Sequence, residues 1–177
     1  MDAEGLVGPR VLLRPFELDD VPAVLAYASD PEVTRYLQWE AYDDPATAAA
    51  FIRSTRGGGS TWLARAIVLQ EEGRVIGGAD LRVVSPREPR AELGYGLARA
   101  YWGRGYAAEA AGLLVRFGFE VLGLARIEAL CAVENERSAR TLERLGLRRE
   151  GRVARYPARP GGVRDHYVYA LARAAAP

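Results

Sequence analysis

At 177 residues with a formal net charge of +1, the chain is long enough for one domain with a full core. It carries no global charge to draw it to nucleic acid or a membrane surface. All 24 basic residues are arginine, which excludes a Walker A lysine, a Schiff-base lysine and a lysine general base.

A lone cysteine, Cys131, excludes an internal disulfide and suits a reducing compartment, and with a lone histidine, His166, it makes no metal site. No secretory pattern opens the sequence. Its most apolar stretch, residues 112–125, is interrupted by Arg116 and Glu120, so a cytoplasmic protein without a membrane span is expected.

Alternation over residues 10–15 predicts a first strand. Leu18-Asp19-Asp20 offers an N-cap for a helix to about Ala28, Asp30-Pro31-Glu32 opens a short helical piece, and Pro45 begins a third helix to about Arg53. Gly57-Gly58-Gly59-Ser60 reads as a loop. Residues 62–70 and 74–83 are β-rich runs joined by the hairpin signal Glu71-Glu72-Gly73. Residues 85–90, with two prolines, form a turn into a strand over 91–97. Ala107, Ala111, Leu114, Gly118 and Val121 recur at helical spacing, so a long helix runs from about Gly105 to Leu122. Residues 126–133 form an apolar strand, Asn135 caps a helix to about Leu145, and Gly146 fits the position after its end. Strands over 148–154 and 164–172 close the chain around an Arg/Pro/Gly-rich loop. The fold class is α/β (α+β), a mixed sheet flanked by helices in one domain over residues 1–177.

The most informative stretch is Tyr101-Trp102-Gly103-Arg104-Gly105-Tyr106-Ala107-Ala108-Glu109. A glycine turn feeding a helix N-terminus aims backbone N–H groups and the positive end of a dipole at one point, which suits phosphate. Three readings are open. Gly103-Arg104-Gly105-Tyr106-Ala107-Ala108 matches G-x-G-x-x-A, and Glu128 follows on the next strand, as in a dinucleotide site. Against this, the preceding chain reads as a meander rather than as βαβ units, and Tyr101 and Trp102 crowd the turn. The second reading is a tight strand-to-helix turn with no ligand. The third adds Gly94 and Gly96 on the incoming strand, which mark close approach by something extended whose phosphates reach the helix. Pantetheine linked to pyrophosphate has that shape.

Ala91-Glu92-Leu93-Gly94-Tyr95-Gly96-Leu97 followed by Tyr101-Trp102-Gly103-Arg104-Gly105-Tyr106-Ala107-Ala108-Glu109-Ala110 resembles motif A of the GNAT acetyltransferases. The closest subgroup is the Rim type, which acetylates N-terminal amines of ribosomal proteins. Residues 10–15, 30–33, 134–138 and 145–151 and Asp165 fit the same subgroup, so the resemblance spans nearly the whole chain. It implies the GNAT fold, with acetyl-CoA in a V-shaped opening between splayed strands 91–97 and 126–133 and no metal. Main-chain groups of Leu97, Ala98 and Arg99 would meet pantetheine. The turn from Trp102 through Gly103, Arg104, Gly105, Tyr106 and Ala107 would hold the pyrophosphate, and Asn135 would contact the cofactor while capping its helix. Where the family often has a tyrosine acid, seven residues after the asparagine, this chain has Leu142; Ser138 matches the Rim-type serine and is the candidate for stabilising the thiolate.

Direct attack by a neutral amine needs a base, a polarised carbonyl and a stabilised thiolate. Glu92 is the base candidate because alternation puts it on the face of Gly94 and Gly96; an ion-paired or solvated glutamate is the competing reading. His166 is expected at the surface, and Cys131 as an inert core thiol. Six arginines between Arg148 and Arg164 make a basic segment that reads first as a solvated face. The function implied is N-acetyl transfer from acetyl-CoA to a protein N-terminal α-amine. Alternatives are a small-molecule amine acceptor (amino acid, polyamine or aminoglycoside) and a non-catalytic acyl-CoA-binding module. Neither DNA nor membrane is an expected partner, and a homodimer would be unsurprising. A long acceptor groove would favour protein substrates, a closed pocket a small amine.

Overall fold

A computed structural model describes residues 5–37, 39–57, 61–85, 88–158 and 162–173. Strands β1 (Leu6–Val7), β2 (Val11–Arg14), β3 (Trp62–Leu69), β4 (Arg74–Ser85), β5 (Glu88–Leu97), β6 (Arg126–Ala132), β7 (Arg148–Ala158) and β8 (Gly162–Ala172) form one sheet in the order β1-β2-β3-β4-β5-β6-β8-β7. Every neighbouring pair is antiparallel except β5 with β6. Helices α1 (Val21–Ala28), α2 (Pro31–Thr34) and α3 (Pro45–Gly57) precede β3; α4 (Tyr106–Glu120) and α5 (Glu136–Arg144) flank β6 in the chain.

Alternation along the strands builds two cores, one on each face of the sheet. Ala64, Ala66 and Val68 of β3 pack with Phe16, Val24, Tyr27 and Ile52 beneath α1 and α3. Ile67 and Leu69, with Leu81, Leu93 and Ile127, pack under α4 with Leu114 and Leu142. Local chemistry sets the helix starts: Pro31 follows Asp30, whose side chain accepts from the Glu32 amide, and Asn135 accepts from the Ser138 amide. Gly146, at φ 88°, ends α5 as the spacing predicts.

The final hairpin is longer than expected, and β1 is an additional short strand. Pairing in β7 and β8 resumes beyond an irregularity at Arg155 (φ 52°) through Tyr156↔Arg164 and Pro157↔Val163. β7 is an edge strand, so Pro157 lacks no ladder partner on its outer side. The expected turn over 85–90 also gives way to strand, since β4 reaches Ser85 and β5 begins at Glu88. Residues 58–60, 86–87 and 159–161 of the three expected loops lie outside the described residues. No helix among the described residues is long and apolar enough to cross a membrane.

Candidate active site

Strands β5 and β6 pair over only three positions, Arg90↔Arg126, Ala91↔Ile127 and Glu92↔Glu128. Beyond them the strands part. The gap opens a cavity of about 670 Å³ bounded by residues 93–97, residues 129–132, the start of α4, one side of α5 and the segment after α2. Glu128 receives Arg126 Nε at 2.6 Å and Arg90 Nη1 at 3.3 Å. Its carboxylate is thus occupied by guanidinium groups, and the single parallel pair leaves no series of βαβ units; the dinucleotide-site reading falls.

The glycine turn opens onto this cavity. Gly103 and Gly105 have φ of 77° and 84°, a region that glycine enters without strain. The first helical hydrogen bond of α4 runs from the Glu109 amide to the Gly105 carbonyl at 3.0 Å, and no side chain caps the helix. The amides of Tyr106, Ala107 and Ala108 therefore stand ahead of the helical ladder, with the dipole behind them. Glu109 and Arg10 brace the turn from outside. Glu109 accepts from the amides of Arg10 (2.6 Å) and Val11 (3.0 Å) and from Arg10 Nε (2.8 Å), and Arg10 Nη1 donates to the Arg104 carbonyl at 3.0 Å. Burial pushes the Glu109 carboxyl up, but these bonds outweigh it and hold it below the usual glutamate range. Trp102 Nε1 donates to the Leu97 carbonyl at 2.8 Å, tying the turn to the end of β5.

Leu97, Trp102, Gly103, Gly105, Tyr106, Ala107, Asn135, Ser138 and Glu92 all line the cavity. Ala98, Arg99 and Arg104 do not. The Ala98 amide donates to the Ile76 carbonyl at 2.8 Å, and Arg99 forms an ion pair with Asp30 at 3.0 Å. Leu142, only 1% exposed, belongs to the core beneath α5. His166 is not at the surface as expected. It is 2% exposed, stacks edge-on with Tyr156 at 5.2 Å between ring centroids, and turns toward the cavity. Cys131 is buried in the core but also contributes to the cavity wall.

One further hydroxyl on the cavity wall is not among the sequence candidates. Tyr95 reaches from β5 across the opening to α5, where its Oη lies 2.9 Å from Ser138 Oγ. Burial raises its pKa to about 12, although the Ser138 bond opposes the shift. The phenol therefore stays protonated at neutral pH. A tyrosine hydroxyl thus stands beside Ser138, supplied by β5 and not by the α5 position that Leu142 fills.

The opposite face of β5 floors a second cavity of about 320 Å³. Cross-strand register arranges this floor in rows: Trp62, Arg82 and Glu92; Ala64, Asp80 and Gly94; Ala66, Gly78 and Gly96. Phe16, Tyr27, Trp39, Tyr42 and Phe51 supply aromatic walls. Asp80 receives Trp62 Nε1 at 2.9 Å. Burial raises the pKa of Asp80, with the Trp62 bond and Arg82 opposing. It raises that of Glu92 as well, where Arg82 opposes and the Asp80 and Glu128 carboxylates add to the rise. The two cavities share Leu37, Glu92, Gly94, Tyr95 and Gly96. Alternation thus places Glu92 and the Tyr95 ring on opposite faces of one strand.

Comparison with known proteins agrees with this geometry. Residues 10–148 match the family model described as "Acetyltransferase (GNAT) domain". The chain is 35% identical to the uncharacterized N-acetyltransferase p20 of Bacillus licheniformis over 95% of its own length and 96% of that protein. A GNAT-family acetyltransferase structure from Bacillus anthracis superposes with a TM-score of 0.86 at 28% identity, covering 95% of this chain and 98% of that one. Mycobacterium smegmatis RimJ, solved in complex with CoA-disulfide, superposes with a TM-score of 0.83 at 26% identity, over 92% of this chain and 81% of RimJ. The split strands, the uncapped helix behind a glycine turn and the match over residues 10–148 converge: the chain belongs to the GNAT family and is an acetyl-CoA-dependent acetyltransferase.

Proposed function

We propose that the protein moves the acetyl group of acetyl-CoA to the primary amine of a small molecule by direct attack in a ternary complex. One observation carries this reading: Gly94 and Gly96 line both the cavity before α4 and a second, smaller one walled by aromatic rings. The amides of Tyr106, Ala107 and Ala108 hold the pyrophosphate, and residues 93–97 guide the pantetheine arm along a strand edge that β6 leaves unpaired. Glu92 takes the amine's proton on the aromatic side. Tyr95 and Ser138 supply a proton to the departing sulfur on the other. Asn135 lines the cavity while its side chain holds the first turn of α5.

Substrate basicity sets the load on Glu92. At neutral pH an α-amine costs roughly 1 kcal/mol to deprotonate and a lysine-like alkylamine about 4.6 kcal/mol. A carboxylate whose own pKa is raised is a better proton acceptor, which suits Glu92 to the task. The small second cavity supports a compact acceptor. So does the Arg164 guanidinium 5.4 Å from the Tyr36 ring centroid, a contact that joins the segment after α2 to the last hairpin. A protein N-terminus is the second reading. It is supported by the Rim-type likeness of the motifs and by the resemblance to RimJ, with one terminal residue filling the aromatic cavity.

Thiol release from acetyl-CoA, measured with small amines in one panel and short peptides with free Ala, Ser, Thr or Met termini in another, separates the two. Turnover on small amines is expected. Turnover on peptides alone replaces the first reading with the second, and silence on both panels with tight acetyl-CoA binding favours a binding module.

A further inference from the structure

Burial withdraws Asp80 from water, and its charge is supported only by the Trp62 hydrogen bond and, at longer range, by Arg82. Its row on the sheet is Ala64, Asp80 and Gly94, the next is Ala66, Gly78 and Gly96, and the walls are rings. Trp62 Nε1 occupies Oδ2. Oδ1 has no protein partner among the described residues, and a Cβ at Gly94 would lie only 2.5 Å from it. Glycine at that position thus leaves Oδ1 uncovered on the floor of the cavity. A carboxylate withdrawn from water and given a single hydrogen bond is stabilised further by whatever cation enters beside it.

The rest of the cavity describes the body attached to that cation. Four rings run in contact along one wall, with centroid separations of 5.0 Å for Trp39–Tyr42, 6.3 Å for Tyr42–Phe51 and 6.2 Å for Phe51–Trp62, and Phe16 lies 5.3 Å from Phe51. About 320 Å³ accommodates a ring-sized group on a short stem. The charged groups facing this space are Asp80, Glu92 and the exposed Arg82, whose guanidinium carbon lies 5.3 Å from the Trp62 ring centroid and whose register partner is Glu92. Tyr27 and Tyr42 add neutral hydroxyls, both kept protonated by burial. Among the described residues the lining is thus acidic within and apolar around, with Arg82 at its exposed side. An acceptor with a carboxylate beside its amine finds no inner partner there.

We infer that this cavity takes the acceptor as a compact primary amine on an apolar, ring-sized body without a carboxylate, and that Asp80, oriented by Trp62, receives the incoming ammonium ion. This rests on the transferase reading for the site as a whole and names the class of acceptor within it. Asp80 holds the amine by a charge-assisted hydrogen bond, and Glu92, one row away on the adjacent strand, removes the proton.

The test is binding, followed through tryptophan fluorescence, since Trp39 and Trp62 line the cavity. The probes are 2-phenylethylammonium chloride and its uncharged analogue 2-phenylethanol, each titrated with and without CoA. The ammonium ion is expected to bind at least tenfold more tightly than the alcohol. Asp80→Asn, which keeps an oxygen for the Trp62 bond, should abolish that preference and leave CoA affinity unchanged. In turnover it should raise the amine KM at least tenfold with acetyl-CoA KM unaltered. Trp62→Phe, which leaves the carboxylate unoriented, should weaken the preference while retaining part of it, and thermal unfolding checks that each variant is folded. Equal binding of both probes, no binding of either, or an Asp80→Asn protein that still prefers the ammonium ion overturns the inference. Selective ammonium binding without thiol release keeps the Asp80 site and removes the small-amine acceptor reading. Turnover of peptides by a protein indifferent to phenylethylammonium overturns the inference and keeps the transferase reading.

Discussion

At the scale of single residues, the proposed chemistry divides between two side chains on alternate faces of β5. Burial raises the Glu92 pKa, so as the proposed base it would be active above a value higher than that of an ordinary glutamate. The acidic limb of kcat/KM should therefore lie above the usual carboxylate range, with activity rising as pH rises through it. Glu92→Gln should remove that limb and lower kcat by about 100-fold, read from a pH-rate profile. On the other face, Tyr95→Phe should lower kcat roughly tenfold with little change in acetyl-CoA KM. Because Tyr95 Oη and Ser138 Oγ share a hydrogen bond, Ser138→Ala added to Tyr95→Phe should cost less than the sum of the single changes. The place of Glu92 on the face of Gly94 and Gly96 was legible in the sequence through simple alternation. Tyr95 was visible only as a spacer between glycines, although the same alternation turns it away from them. Asp80 sat inside an apolar strand run, and only the register with Gly94 shows what its carboxylate faces.

At the scale of elements, the turn before α4 is the proposed anion site, and Arg10 and Glu109 hold it in shape. Gly105→Ala would place a Cβ 3.3 Å from Arg10 Nη2 in a left-handed backbone conformation. About 1 kcal/mol of lost stability is expected, with acetyl-CoA KM raised more than kcat is lowered, measured by thermal unfolding and steady-state kinetics. The Glu109 anchor has a pH signature of its own. Its pKa in the folded protein lies below the unfolded value, so its stabilisation is complete above the ordinary glutamate pKa and is lost as pH falls through the lowered one. Glu109→Gln should flatten this part of the acid-stability curve and loosen acetyl-CoA binding. The glycines and the helix they start were readable from spacing. The brace was not, because Arg10 and Glu109 are joined only when β2 lies beside α4. The last hairpin was truncated for a related reason, since a proline reads as a stop until its strand is known to be an edge.

At the scale of the whole molecule, three residue pairs join the β1–β5 half of the sheet to the β6–β8 half. A ligand lying in the gap completes a ladder that the chain leaves open. Saturating CoA should raise the unfolding temperature, with about 2.7 kcal/mol expected at 100 times Kd. Hydrogen exchange should slow at residues 93–97 and 129–132 more than elsewhere; uniform slowing would argue against cofactor seated between the strands. The element order was largely readable along the chain. The insertion of β8 between β6 and β7 was not, because strand order is fixed by tertiary pairing rather than by local pattern.

The division of Glu92 and Tyr95 between the two faces of β5 has a consequence for successive turnovers. In the proposed mechanism each cycle would leave the molecule one proton richer on the aromatic side and one poorer on the sulfur side. Glu92 and Tyr95 stand on opposite faces of one strand yet each lines both cavities, so in this scheme both groups are reset through the solvent that refills the site when the products leave.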